Sequence, residues 1–168
     1  MSTKDEKDEK ESDFEDHIRK IISKKIIAGK KHFTMFKNKD VVDIIICRNI
    51  FVPKIFFIEV KHYSETKGRI GFGKGDGGGL QPEILKSVLK NGAKYFDNNL
   101  IWVFKREHDE NYYVLKCKDC LKYIAADTIG EKQNNFKKSL FDNEQPMSEE
   151  NFLEYIENWL LDVDENNQ

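Results

Sequence analysis

Two carboxylates and one ammonium stand where charge is costly. Asp43 interrupts the run Val41-Val42-Asp43-Ile44-Ile45-Ile46, and Glu59 and Lys61 close the run Ile55-Phe56-Phe57-Ile58-Glu59-Val60-Lys61. Both runs are rich in β-branched and aromatic residues and too short for helices, so they read as buried strands. A charge in such a run needs a partner or a metal ion. Side chains alternate across a strand, so Glu59 and Lys61 share one face. Fifteen residues separate Asp43 from Glu59, enough for a strand, a turn around Pro53 and an antiparallel return. Paired in register, the hairpin brings both carboxylates to the ammonium. That set suits one or two Mg²⁺ ions and an activated water. The plainer alternative is an ion pair at a strand end, Lys61 with Glu59 or Asp43. Asp40 is the rival acid, and the place of Asp43 inside the apolar run favours Asp43.

The arrangement resembles the PD-(D/E)xK nuclease superfamily, whose signature is an Asp, a hairpin and then Glu/Asp-x-Lys, here Glu59-Val60-Lys61. Val42 stands where that signature has a proline. The resemblance spans roughly residues 12–105. It implies an α/β fold with a restriction-endonuclease-like core, a mixed central β-sheet of about four to five strands flanked by helices. It implies a Mg²⁺-dependent DNA endonuclease, of restriction type and homodimeric. Asp43 and Glu59 would be the metal ligands, with the Val60 carbonyl as an extra one. Lys61 would hold or help deprotonate the attacking water. Glu15 matches a supporting acid on the first helix, and Gln81 a glutamine that opens a later helix aimed at the active site. Leu85 departs from the tyrosine that commonly follows that glutamine. A structure-selective nuclease of the Holliday-junction-resolvase kind, and a non-catalytic nucleic-acid-binding protein on the same fold, are the alternatives.

The elements that must position these residues follow from periodicity. Phe14, Ile18, Ile21, Ile22 and Ile26 have helical spacing, so a helix is expected over 13–29, with Gly29 ending it. A short strand or extended segment is expected at His32–Phe36, ahead of the two runs. Residues 64–79 hold most of the chain's glycines and read as a functional loop, with Lys67, Arg69 and Lys74 placed for phosphates. Pro82 suits the first position of the next helix, running to about Gly92. On it Lys86, Lys90 and Lys94 share a face, a second candidate DNA contact. Further strands are expected at Leu100–Phe104 and Tyr112–Leu115, and the helix-containing link before the former suits a parallel crossover. A short helix is expected from Cys120 to about Ile129, irregular chain over 130–147, and a last helix after Pro146 and Ser148, with Phe152, Leu153, Ile156, Trp159 and Leu160 inward.

The 168 residues suit one domain, taken as 13–162 between disordered tails at 1–12 and 163–168. A net charge of −2 hides a segregation: residues 1–16 carry −5, residues 142–168 carry −9 and the body between them +12. A basic body is the footprint of a nucleic-acid binder, although a lysine-rich composition bias has the same look. No run approaches a membrane span, and three cysteines without a disulfide framework fit the cytoplasm. Cys117 and Cys120 have the spacing of a zinc half-site but lack a second pair. The four histidines show no ligand spacing, the glycine loop lacks P-loop order, and no G-x-S-x-G is present.

Overall fold

The computed structural model describes residues 4–37, 42–65, 70–71, 94–124 and 135–162. Helix α1 (Lys4–Ile22) leads through a π-helical turn (Ser23–Ile27) to Gly29, whose φ of +79° is the left-handed geometry that glycine adopts without strain. The helix therefore stops where expected. It starts at Lys4, nine residues ahead of Asp13, over a stretch composed mainly of the good helix formers Lys and Glu. The buried Phe14, Ile18, Ile21 and Ile22 make an apolar stripe, with Asp13, Asp16 and Lys20 exposed.

Five strands form one sheet in the order β1-β2-β3-β5-β6: β1 (Phe33–Lys37), β2 (Ile44–Arg48), β3 (Lys54–Tyr63), β5 (Leu100–Arg106) and β6 (Tyr112–Lys116). The β1–β2, β2–β3 and β5–β6 pairs are antiparallel, and β3–β5 is parallel. The sheet is thus mixed, and the parallel crossover from β3 to β5 bears out its sequence reading. A two-stranded ladder joins β4 (Ile70–Gly71) to β7 (Asn135–Phe136), so the region expected to be irregular holds a strand and also the short helix α3 (Leu140–Asn143).

Each face of the sheet has its own core. On one face Ile44, Ile46, Phe56, Ile58, Val60, Ile101 and Val103 meet α1, the π turn and α4 (Glu149–Leu161). Helix α4 bears out its reading: the Ser148 hydroxyl accepts from the Asn151 N–H as an N-cap, and Phe152, Ile156 and Leu160 are buried. On the other face Leu100, Trp102, Phe104, Tyr113 and Leu115 pack with Tyr63, Phe136, Leu140 and a 3₁₀ helix (Cys117–Lys122). The short helix α2 (Lys94–Asn99) leads directly into β5, and its Phe96 tilts against Phe57 on this second face. Among the described residues, no helix is long and apolar enough to cross a membrane.

Candidate metal and catalytic site

The β2–β3 register sets the geometry. Ile44 lies opposite Ile58 and Arg48 opposite Lys54, so the next row beyond the start of β2 brings Asp43 opposite Glu59. Asp43 is not inside the strand, as its apolar neighbours suggested, but one residue ahead of it. There its Oδ2 accepts from the Val60 N–H at 2.6 Å. The side chain takes a backbone donor at the point where the ladder ends, which satisfies that N–H and turns the carboxylate toward β3.

On β3, Glu59, Lys61 and Tyr63 alternate on the face opposite Ile58 and Val60. Glu59 is 3% exposed. Its Oε1 accepts from Lys61 Nζ at 2.6 Å, while its Oε2 is buried with no hydrogen-bond partner among the described residues. The ion-pair reading of Glu59 and Lys61 is therefore correct as geometry. It leaves one Glu59 oxygen without a hydrogen bond among the described residues, and the Asp43 charge only partly offset by Lys61 and the Val60 N–H. Burial pushes the Asp43 carboxyl up to about 8, and the Glu59 carboxylate beside it adds to that rise. Lys61 and the Val60 N–H pull it back, and Glu15 on α1 raises it further. Three acids from three elements thus act on one spot against a single ammonium. Such an excess of buried negative charge favours either a proton or a cation.

The fit to a divalent ion rests on this donor set. Asp43 and Glu59 are hard oxygen donors, and an orphaned buried oxygen on Glu59 is available to a cation. Among the described residues, no three His, Cys, Asp or Glu side chains already stand at metal-ligand spacing, so the set here is two carboxylates with Glu15 in electrostatic reach. Val60 enters through its backbone, because its side chain is buried on the opposite face.

The other expected residues divide. Lys94 is exposed at the first position of α2. Asp40, Lys67, Arg69, Lys74, Gln81, Lys86 and Lys90 lie outside the described residues, with the helix expected from Pro82 to Gly92. His62 faces away from Lys61, as alternation requires, and its ring meets Phe14 edge-on at 6.2 Å. Cys117 and Cys120 are both buried in the second core; the hydrogen bond to Cys120 and then burial push the Cys117 thiol up.

Sequence reasoning missed two other basic residues that the fold positions. Arg48 is 2% exposed and donates to the Leu160 carbonyl at 2.6 Å, to the Val52 carbonyl at 3.1 Å and to Asp162 at 2.8 Å. The signal was present, since Arg48 continues the inward alternation of Ile44 and Ile46. Lys138 places its Nζ 5.5 Å from the centre of the Tyr63 ring, a contact that spacing along the chain does not reveal. No family model matches the chain, and no curated protein matches it in sequence.

Proposed function

We propose that this protein is a Mg²⁺-dependent DNA endonuclease with a restriction-endonuclease-like core, its chemistry carried by Asp43, Glu59 and Lys61. The observation that carries the reading is the facing pair of half-buried Asp43 and buried Glu59 in one row of the β2–β3 hairpin, with the Lys61 ammonium on Glu59 and the Asp43 carboxyl pushed up to about 8. A structural ion pair has no use for the second acid. Desolvating it costs free energy that a divalent cation offsets. The mixed five-strand sheet flanked by helices is consistent with the same reading.

In this reading Asp43 and Glu59 hold the ion, with the Val60 carbonyl as a further oxygen. Held by these oxygens, a divalent ion would supply Lewis-acid polarisation of the scissile phosphoryl group and a more acidic attacking water. Lys61, already bound to Glu59, directs its remaining N–H groups at the water and at charge that develops on the phosphoryl oxygens. Glu15 adds negative charge from α1 and so tightens the hold on the cation. The lysine-rich body of the chain attracts the phosphate backbone.

Incubation of the purified chain with supercoiled plasmid tests this. Nicked or linear product is expected with Mg²⁺ or Mn²⁺ and none with EDTA. Undiminished cleavage in EDTA, or by Asp43→Ala, would end the reading. A four-way junction in the same assay separates a structure-selective enzyme from one that cuts linear duplex.

A further inference from the structure

The face of β3 that carries Glu59 and Lys61 continues to Tyr63, and a second cation sits there. Tyr63 is 3% exposed, with its ring tilted against Phe141 of α3 at 5.4 Å. Lys138, two residues ahead of α3, is exposed and holds its ammonium over that ring. Residues i and i+2 of a strand are about 6.6 Å apart, so Tyr63 carries Lys138 one step along the sheet from Lys61. Nearby charges are otherwise occupied. Arg106, opposite Tyr63 in the β3–β5 register, is bound to Glu65 at 2.8 Å, and Glu107 accepts from Ser64 and from the Glu65 N–H. Among the described residues no acid pairs with Lys138; its recorded partner is the Tyr63 ring.

A cation propped on an aromatic face keeps its N–H groups pointing to solvent and loses rotamer freedom in advance. The chain uses the same contact at Lys105 and Lys116; Lys138 is set apart by its ring partner, which stands on the strand face that carries Glu59 and Lys61. We propose that Lys138 is a substrate-positioning residue that grips the DNA phosphate adjacent to the one being hydrolysed. The proposal rests on the nuclease reading of Asp43, Glu59 and Lys61 and adds a subsite to it. Tyr63 acts through Lys138, by holding the ammonium over the strand face.

The experiment uses the full chain and a short fluorescent duplex whose cleavage position has been mapped. Binding in Ca²⁺ is followed by anisotropy over a range of salt, and cleavage in Mg²⁺ is followed over a range of substrate. Lys138→Ala should raise KM about fivefold, the upper range of one exposed ion pair, with a smaller fall in kcat. It should also reduce the log–log salt slope by about 0.9, one phosphate contact. Lys138→Arg should recover most of the loss, and Tyr63→Leu should reproduce part of it. Duplexes with a neutral methylphosphonate stepped along the strand locate the contact: one position next to the cut should weaken binding of the parent protein and leave Lys138→Ala unaffected. An unchanged KM and salt slope in Lys138→Ala would overturn the proposal, as would equal sensitivity of both proteins to every neutral phosphate. If the parent protein binds but never cuts, the nuclease reading fails while the salt slope and the methylphosphonate series still decide whether Lys138 grips a phosphate.

Discussion

The two ends of the β2–β3 hairpin carry opposite versions of one arrangement. At the turn end, Arg48 and Lys54 face each other in register and share the single carboxylate of Asp162, at 2.8 and 2.7 Å. At the open end, Asp43 and Glu59 face each other, and the one ammonium of Lys61 binds Glu59 and offsets Asp43 only through its charge. Two cations with one acid make a relaxed cluster. Burial pushes the Asp162 carboxyl up, but hydrogen bonds from Lys54 and Arg48 outweigh it and hold the group below the usual carboxylate range. Two acids with one cation make a strained cluster, and Asp43 is driven far above that range. The comparison teaches that buried charge alone does not mark function. The turn-end cluster leaves the buried Arg48 Nε without a partner among the described residues but holds its carboxylate ionised and fastens the C-terminal end of α4 to the sheet, whereas the other leaves negative charge that a proton or a cation can settle.

The sharpest way to break this contrast is by substitution at the open end. Asp43→Ala, Glu59→Ala and Lys61→Ala should each lower cleavage by roughly 100-fold or more, the scale of losing one preorganised electrostatic group. The fold should survive, with unchanged circular dichroism. At the turn end the effects reverse. Arg48→Ala should leave cleavage chemistry alone but cost about 3 kcal/mol in urea denaturation, because it removes a buried charge bonded to two carbonyls and a carboxylate.

Acid–base titration of stability sharpens the contrast next. The folded-state value for Asp43 lies above its unfolded one, so the folded chain binds the extra proton between pH 4 and about 8. Its contribution to stability is therefore present at low pH and lost as pH rises through that window. Asp43→Asn should flatten the fall, as measured by urea midpoints in EDTA. Asp162 has the opposite sign, with a contribution present above the ordinary carboxylate range and lost on acidification.

Mg²⁺ should have a comparable or smaller effect. At 100 times its Kd it should add about 2.7 kcal/mol to the stability of the parent chain and none to Asp43→Asn combined with Glu59→Gln. The gain should increase with pH up to about 8, since the ion displaces the Asp43 proton. Ca²⁺ should support binding of DNA but little cutting, because its looser geometry places the water poorly. The smallest effect expected is at Lys94, exposed at the start of α2. Lys94→Glu should change the salt slope of binding by about 0.9 if it meets a phosphate, and by nothing if it is a solvated lysine.

Much of this frame is legible in the chain. The apolar runs around Ile44 and Phe56 could only be strands, and alternation then fixed the shared face of Glu59 and Lys61. The parallel return at Leu100 followed from the length of its link, and α4 from Ser148 and its apolar spacing. Other features depend on contacts distant in sequence. Asp43 looks internal to its strand because Val41 and Val42 extend the apolar run. Its exit from the ladder depends on the Val60 N–H across the hairpin. The Arg48 clamp needs the carbonyl of Leu160, and Lys138 needs a ring on β3. Such pairings are decided by packing, which local propensity does not encode.

The seam at β3 also orders the assembly of the molecule in time. Its antiparallel partner β2 lies only a short turn away, whereas its parallel partner β5 must be brought in across residues 64–99. Closing the longer segment costs more chain entropy, so the hairpin is favoured to pair first and the crossover to follow. Asp43 and Glu59 therefore meet while their surroundings are still wet, when two like charges repel weakly. The repulsion grows only as Trp102 of β5 docks beside Glu59 and excludes water. A cation present during refolding would relieve that late step and should speed it, so the ion proposed for the folded site would also act as an aid to its folding.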